Sequence, residues 1–129
     1  MTRLLLVEDQ PNDLLNATEA ARSLGFTAVD ARSSAKEAVL HLEKGLDGET
    51  TLPDVIVLDL DLGYESGYEL MRFWHSKPRL AEIPLIVWTI MGEDQRQICR
   101  LFKVTAYVTK SNDVRPLKEA LGGLERTVS

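Results

Sequence analysis

The residues of this sequence that are best suited to chemistry stand directly after short apolar runs or very close to them. They are four acids, a hydroxyl and an amine: Glu8, Asp9, Asp59, Asp61, Thr89 and Lys110. Carboxylate oxygens are ligands that suit Mg²⁺. A carboxylate beside such an ion can act as a nucleophile towards phosphorus, and an ammonium group can stabilise the phosphoryl oxygens. If the fold gathers these residues, the sequence predicts metal-assisted phosphoryl transfer.

The apolar runs in front of these residues have the character of buried β-strands. Arg3–Val7 precedes Glu8, and Asp54–Leu58, which is apolar after its first residue, precedes Asp59. Continuous runs of this kind suit strands that are covered on both faces. The five predicted strands are 3–7, 26–31, 54–58, 84–89 and 104–109.

Apolar residues at helical spacing predict five helices between and after the strands. They cover roughly 11–24, 34–45, 66–77 and 93–102, and a last helix begins at about 113. Two of them begin with a capping box, in which a serine and a later glutamate satisfy amides of the first turn. These pairs are Ser34 with Glu37 and Ser66 with Glu69.

Strands that alternate with helices predict a parallel sheet with helices on both faces. Right-handed crossovers favour the strand order 2-1-3-4-5. The predicted fold class is α/β, a doubly wound, flavodoxin-like (βα)5 sandwich of three layers. In such folds ligands bind beyond the carboxyl ends of the strands, where the six residues above would converge. Two like charges ~4 Å apart repel by about 4 kcal/mol at an effective dielectric constant of ~20, so we expect either that the pKa values of the acids rise or that a cation binds.

Composition excludes several other classes of protein. Cys99 is the single cysteine among 129 residues, which excludes an internal disulfide and a cysteine-rich zinc module. Acids outnumber bases by 20 to 15, a balance that argues against a nucleic-acid-binding surface. The longest apolar runs are far shorter than the ~18 residues that span a bilayer. We therefore expect a cytoplasmic, single-domain chain over residues 1–129, with no membrane contact and no output domain.

These features resemble the receiver domain of two-component response regulators over essentially the whole chain. The residues that carry the resemblance are Glu8, Asp9, Asp59, Gly67, Thr89, Tyr107 and Lys110. The resemblance implies that Asp59 is the phospho-acceptor and that Lys110 pairs with the phosphoryl group. It implies Mg²⁺ as cofactor, bound by Asp59, directly by Asp9, through water by Glu8, and by the main-chain carbonyl of Asp61.

The resemblance also implies how such a domain signals. Thr89 moves towards the phosphoryl group and Tyr107 swings inward behind it. This remodels the face made by the fourth helix, the fifth strand and the fifth helix, through which such domains also form homodimers. The phosphoryl group comes from a histidine kinase or a phosphotransfer protein, and the output is contact with a downstream protein. Such domains phosphorylate and dephosphorylate themselves but are not metabolic enzymes.

Several positions depart from the family pattern. Ser111 follows Lys110 where a proline, often in a cis peptide, is usual. Because a cis bond before another residue costs ~3 kcal/mol, we expect a trans bond or a reshaped loop here. Gly63 replaces a proline, and Lys103-Val104 replaces a Gly-Ala pair.

A further departure follows Thr89, where the family usually has a small residue. Here Ile90 and then Met91 follow the threonine. We hypothesise that these two side chains crowd the phosphoryl site and slow the loss of phosphate.

Two other functions stay open at this point. The bulk after Thr89 and the serine after Lys110 fit an interaction module that keeps the receiver fold without being phosphorylated. The pair Asp59 and Asp61 also resembles the paired aspartates of haloacid-dehalogenase phosphatases, although Gly63 stands where these enzymes need a hydroxyl residue. The sequence leaves the kinase, the stimulus, the output, the oligomeric state and the phosphate lifetime open.

Overall fold

The computed structural model describes residues 2–63, 65–90 and 92–128 of the chain. In these ranges the strands are β1 (Thr2–Val7), β2 (Phe26–Arg32), β3 (Val55–Leu58), β4 (Asp61–Leu62), β5 (Glu65–Ser66), β6 (Leu85–Thr89) and β7 (Ala106–Thr109). The helices are α1 (Pro11–Ser23), α2 (Ala35–Leu46), α3 (Tyr68–Ser76), α4 (Pro78–Ala81), α5 (Glu93–Leu101) and α6 (Arg115–Val128).

The five longer strands form one parallel sheet in the order β2-β1-β3-β6-β7. Because β6 and β7 are the fourth and fifth of these strands, the predicted order is confirmed. Val7 of β1 pairs with Leu58 of β3, which in turn pairs with Val87 of β6. The carboxyl ends of the central strands are therefore adjacent, and the residues that follow them meet at one edge of the sheet.

Alternate residues of the central strands fill a core on each face of the sheet. Leu5 and Val7 pack in the core that includes α2, α3 and α5, whereas Leu4 and Leu6 pack in the core with α1 and α6. All four side chains are completely buried. Burying such a side chain contributes ~1.5–3 kcal/mol, so the two cores hold the strand ends firmly in place. The predicted three-layer sandwich is confirmed.

The two predicted capping boxes have different outcomes. Ser34 is the N-cap of α2, and its hydroxyl accepts a hydrogen bond from the N–H of Glu37, so the serine half of this prediction is confirmed. The prediction for Ser66 is wrong, because the N-cap of α3 is Gly67. Ser66 lies in β5, and its hydroxyl accepts from the N–H of Tyr68 instead. The short hairpin of β4 and β5 therefore takes up the residue that would have capped the helix.

Two short elements were missed by the sequence analysis. The antiparallel hairpin of β4 and β5 stands between Asp59 and α3, in a segment too short for a periodic pattern. Pro78, which we predicted as the end of a helix, is the first residue of α4. Proline suits the first position of a helix because the N–H group that it lacks would have no acceptor within the helix there.

Lys103 has a left-handed backbone, with a φ of 60°, directly after the C-cap of α5. The N–H of Lys103 donates to the carbonyl of Arg100, and the N–H of Val104 donates to the carbonyl of Cys99. These two bonds form a Schellman motif, whose left-handed position usually holds glycine. The left-handed backbone at this position explains why the family pattern has glycine here. Among the described residues no peptide bond is cis, so the expected trans bond at Lys110-Ser111 is confirmed.

We predict that Lys103→Gly stabilises the protein. The left-handed backbone costs a residue with a Cβ ~1–2 kcal/mol, and the greater flexibility of glycine in the unfolded chain offsets part of the gain. The expected net increase in the free energy of unfolding is about 0.5–1 kcal/mol, measured by urea denaturation. Lys103→Ala keeps the Cβ and serves as the matched control. Equal stabilities of the glycine and alanine variants would contradict the explanation.

Candidate functional site

Charged residues from several elements meet at the carboxyl edge of the sheet. Glu8 and Asp9 follow β1, Asp59 follows β3, and Lys110 follows β7. Asp13, on the first turn of α1, reaches the same place. The four acids are called the acidic cluster below. Glu8, Asp9 and Asp59 each offer a carboxylate oxygen, and these oxygens lie within 4.8 Å of one another.

Lys110 is the cation at the centre of this cluster. Its Nζ lies 2.5 Å from Oε1 of Glu8, 2.7 Å from Oδ2 of Asp59 and 2.9 Å from Oδ2 of Asp13. Burial by itself lowers the pKa of the ammonium, but the hydrogen bonds to Asp59, Glu8 and Asp13 outweigh it and raise the pKa above its ordinary value. Lys110 is therefore a fixed positive charge at neutral pH.

Glu8 ties the cluster to the start of α1. Its side chain is fully buried, and Oε2 accepts hydrogen bonds from the N–H groups of Asp9 and Gln10 at 3.0 and 3.1 Å. Burial raises the pKa of Glu8 to about 7, although the hydrogen bond from Lys110 opposes this shift. The single ammonium of Lys110 thus does not fully offset the cost of burying the Glu8 carboxylate, and a further cation would stabilise its charged form.

Asp59 is buried and held by donors on both carboxylate oxygens. Oδ1 accepts from the N–H of Asp61 at 3.0 Å, and Oδ2 accepts from Lys110. The N–H of Asp59 donates to the carbonyl of Val7, which fixes the backbone against β1. A Cβ on Gly67 would collide with the carbonyl oxygen of Asp59, so glycine is needed where α3 begins beside it. The side chain of Asp61 is directed to its own turn, where Oδ1 accepts from Gly63 at 3.4 Å.

Asp9 has the feature that best tests whether a metal ion fits here. Its Oδ1 is a buried oxygen without a hydrogen-bond partner in the described structure. Gly63, at a φ of 74°, approaches Asp9 so closely that a Cβ would lie 3.2 Å from Oδ2. Burying a carboxylate oxygen without a hydrogen-bond donor costs free energy unless a cation binds to that oxygen. The oxygen-rich donor set of Glu8, Asp9 and Asp59 therefore fits a hard divalent ion such as Mg²⁺ or Mn²⁺.

Two contacts of Lys110 were not found by sequence reasoning. Asp13 was interpreted as part of a helix, yet it provides the third carboxylate around the ammonium. Trp88 belongs to the predicted strand 84–89 and is buried, and its ring centroid also lies 4.9 Å from Nζ of Lys110. The one available signal for Asp13 was its place in the first turn of a helix that begins at the acidic edge.

Thr89 and Tyr107 lie on the same face of the sheet. Thr89 pairs with Thr109 and Val87 pairs with Tyr107, so the two-residue period of the strands places all four side chains on one side. Thr89 is completely buried at the carboxyl end of β6. The hydroxyl of Tyr107 donates to the carbonyl of Gly92 at 3.3 Å, at the N-cap of α5. Tyr107 is thus connected to the start of α5.

Arg96 of α5 lies over the ring of Tyr107, with its guanidinium carbon 4.6 Å from the ring centroid. Nε of Arg96 also pairs with Oε2 of Glu93 at 3.3 Å. The ion pair with Glu93 orients Arg96, and the stacking contact holds Tyr107 against α5.

A cavity of about 250 Å³ opens over the site. Its walls are formed by acidic residues, Lys110, the glycine of the hairpin turn and the side chain of Ile90. Ile90 is 67% exposed, so it stands at the mouth of the cavity and not inside the core. Met91 lies outside the described residues.

The family model for the response regulator receiver domain matches residues 4–122, and the chain therefore belongs to this family. The sequence is 33% identical to the two-component response regulator ORR1 of Oryza sativa subsp. indica, over 92% of this chain and 54% of that protein. It is 26% identical to the response regulator Rcp1 of Synechocystis sp., over 95% of this chain and 85% of that protein. The chain thus spans about half the length of the rice relatives it matches.

Solved structures agree with this assignment. The phosphorylated cyanobacterial phytochrome response regulator RcpA superimposes with a TM-score of 0.81 at 29% identity, covering 97% of this chain and 91% of that one. The Mn²⁺-bound form of Rcp1 has a TM-score of 0.81 at 26% identity and covers 97% and 92%. Among the described residues, no helix has the length and apolar character needed to cross a membrane.

We predict that Lys110→Met destabilises the protein. It leaves the buried carboxylates of Glu8 and Asp59 without their ammonium, and breaking a buried pair in this way costs about 3 kcal/mol. The measurement is urea denaturation with EDTA present. Lys36→Met, at an exposed position of α2, is the control and should change the free energy of unfolding by less than ~0.5 kcal/mol. Equal effects of the two substitutions would refute the structural role of the cluster.

Proposed function

We propose that this chain is a receiver that accepts a phosphoryl group on Asp59 from a histidine kinase or a phosphotransfer protein, with Mg²⁺ as cofactor. The observation that carries the proposal is the buried Asp59 carboxylate, 2.7 Å from a buried ammonium and within 4.8 Å of two further carboxylates. The similar structures include one of a phosphorylated regulator and one of a Mn²⁺-bound regulator, which supports both parts. On this proposal the receiver domain occupies residues 1–129 and signals through protein contacts.

The nucleophile of the proposed reaction is a carboxylate oxygen of Asp59. A bond forms between this oxygen and phosphorus, and the bond between phosphorus and the imidazole nitrogen of a donor phosphohistidine breaks. The electron pair of the broken bond stays on that nitrogen. The carboxylate needs no general base, because Asp59 is an acceptor of hydrogen bonds on both oxygens. The preorganised donors at Asp61 and Lys110 hold it in one orientation for attack.

Lys110 provides positive charge where the phosphoryl oxygens would lie. Its raised pKa keeps it protonated, so it can move from the carboxylate of Asp59 to a phosphoryl oxygen without any proton transfer. Trp88 and the carbonyl of Thr89 limit how far it can travel, the latter by accepting from the N–H of Lys110 at 2.8 Å. The hydroxyl of Thr89, at the end of β6, would then donate to another phosphoryl oxygen.

Glu8, Asp9, Asp59 and the main-chain carbonyl of Asp61 are the groups that would hold Mg²⁺. When bound, Mg²⁺ supplies charge that offsets the crowded carboxylates and the phosphoryl oxygens. The buried Oδ1 of Asp9, which has no donor in the described structure, is the strongest argument for this part of the proposal. Glu8 contributes because its second oxygen accepts from the N–H groups of Asp9 and Gln10, just before α1, so that its carboxylate stays next to Asp9.

The output would pass through Thr89 and Tyr107 to α5. When Thr89 turns to the phosphoryl group it vacates space on the face of the sheet that it shares with Tyr107. Inward movement of Tyr107 breaks its bond to Gly92 and removes the ring from beneath Arg96. The surface of α5, β7 and α6 is then the two-state element that a downstream protein or a second copy reads.

The central experiment is intact mass measurement after incubation with acetyl phosphate and Mg²⁺. The wild type should gain one phosphoryl group, and Asp59→Asn should gain none, because the amide is not a nucleophile. EDTA should also abolish the gain. Asp47→Asn, at the exposed C-cap of α2, is the matched control and should behave as wild type.

A wild type that folds but stays unmodified would redirect attention to the phosphorylation-independent interaction module. A Mg²⁺ titration followed by thermal unfolding then separates the cases. A receiver that needs its own kinase should melt at a higher temperature with Mg²⁺, and Asp9→Asn should lose most of this increase. No increase in the wild type would contradict a metal site, and phosphorylation of Asp59→Asn would contradict the assigned acceptor.

We predict that Ile90→Ala shortens the lifetime of the phosphorylated protein. Ile90 stands at the mouth of the cavity over Asp59 and restricts the approach of water. The expected effect is up to about tenfold, which corresponds to about 1.4 kcal/mol of activation barrier. The decay is followed by intact mass after acetyl phosphate is removed. Leu101→Ala, at a residue that is 79% exposed and outside this cavity, is the control. Unchanged lifetimes would show that Ile90 does not shield the site.

A further inference from the structure

A second cavity, larger than the one over Asp59, lies beside the edge strand β2. Its volume is about 570 Å³, and β1, β2, α2 and the segment after α2 contribute to its wall. None of its lining residues belongs to the acidic cluster. The chemistry of this wall is the opposite of that of the acidic edge, since cations predominate in it.

The cations of the wall outweigh its acids. Arg3, Arg32 and Lys44 face the cavity together with Asp30 and Glu37, in a chain whose net charge is -5. Arg3 is paired with Asp30, with Nη1 3.1 Å from Oδ2. In the part of the chain that the structure describes, neither Arg32 nor Lys44 has a carboxylate within 4.0 Å. The cavity therefore has positive charge that the protein itself does not neutralise.

The acids of the wall are already occupied by other groups. Asp30 is held by Arg3, and the carboxylate of Glu37 accepts from the hydroxyl groups of Ser33 and Ser34 at the start of α2. The guanidinium of Arg32 instead donates to neutral acceptors, Nδ1 of His41 at 3.2 Å and the carbonyl of Ala31 at 2.7 Å. Arg32 is thus charged, partly buried and without an anionic partner, the state in which guanidinium groups bind anions.

His41 adds a donor without an acceptor. Because a guanidinium can only donate, Nδ1 of His41 accepts from Arg32, and the ring proton lies on Nε2. The side chain is 9% exposed, and Nε2 has no hydrogen-bond partner in the described structure. The closest carboxylate oxygen, on Asp30, is 3.8 Å away. An unsatisfied buried N–H is unfavourable, and an anionic acceptor bound against this wall would satisfy it.

We propose that this cavity binds a small molecule through a phosphate group. Arg32 and Lys44, which have no carboxylate within 4.0 Å in the described structure, would contact the oxygens of a phosphate dianion, and the hydroxyl groups of Thr50 and Thr51 add donors in the wall. The volume lies within the ~300–1,000 Å³ that small-molecule sites have, which is more than phosphate alone requires. Leu40, 50% exposed and part of the wall, provides an apolar surface for the body of such a ligand. A nucleoside monophosphate has this combination of dianion and ring.

The test is a titration of the ¹⁵N-labelled full chain, followed by amide chemical shifts, with inorganic phosphate in one arm and adenosine monophosphate in the other. EDTA and constant ionic strength exclude metal-mediated binding at the acidic cluster. The amides of Arg32, His41, Lys44 and Thr51 should shift and saturate. The double variant R32Q/K44Q should bind at least about tenfold more weakly, since two charge-assisted contacts are lost. Lys36→Gln, on the same helix but outside the wall, should bind as wild type.

The two arms also identify the source of the phosphate. Equal affinity for inorganic phosphate and adenosine monophosphate supports a site that contacts only the phosphate group. Tighter binding of adenosine monophosphate supports an additional contact between the nucleoside and Leu40. Shifts that do not saturate, or that are the same in R32Q/K44Q and Lys36→Gln, would overturn the proposal. If R32Q/K44Q does not fold, judged by circular dichroism, Lys44→Gln alone replaces it with an expected loss of about threefold. No loss in that variant would also count against the site.

Discussion

The ammonium of Lys110, enclosed by Glu8, Asp59 and Asp13, is the interaction on which the rest of the site depends. A parallel sheet forces the carboxyl ends of its strands to one edge, and here those ends carry acids. Like charges so close together repel by several kcal/mol at a protein-like dielectric of ~20, and one cation compensates only part of this. The remaining deficit is visible in the raised pKa of Glu8 and in the buried Oδ1 of Asp9 that has no donor. The oxygen-rich edge therefore fits a hard divalent cation.

The proposed movement of side chains at this edge would reach the surface through Tyr107, which lies between the buried sheet and α5. The central strand β3 is buried on both faces and fixes the position of Asp59, whereas Lys110 follows the edge strand β7 and is held there by the bond from its N–H to the carbonyl of Thr89. The hydroxyl group of Thr89 and the ring of Tyr107 lie on one face of the sheet, and Tyr107 is held to α5 by one hydrogen bond and one stacking contact. Such weak contacts are easily exchanged, whereas the core beneath them is not. On the proposed function, a change of charge at Asp59 would act on a small number of side chains near α5.

The charge of the molecule is also unevenly distributed. The acidic edge and the cation-lined cavity beside β2 share no residues, and each has polar groups that the described protein leaves unsatisfied, Oδ1 of Asp9 in one and Nε2 of His41 in the other. The two regions are nevertheless connected through β1, because Arg3 and Glu8 stand at its opposite ends. A ligand in the second cavity would thus contact the strand that positions Glu8 and Asp9, two of the residues proposed to hold Mg²⁺.

Local patterns in the sequence were sufficient for the strands, their order, the capping by Ser34, and the meeting of Glu8, Asp9, Asp59 and Lys110, because each depends on periodicity or on the rule that parallel strands end at one edge. The Ser66 cap was wrong because a two-strand hairpin, too short to show a period, used that residue. Asp13 and Trp88 became neighbours of Lys110 only through tertiary packing between segments far apart in the chain, which no local spacing encodes. The sequence by itself determined which residue types reach the edge. The tertiary structure decided which of them form ion pairs and which keep a buried oxygen without a hydrogen-bond donor, since these properties depend on burial and on distances between elements.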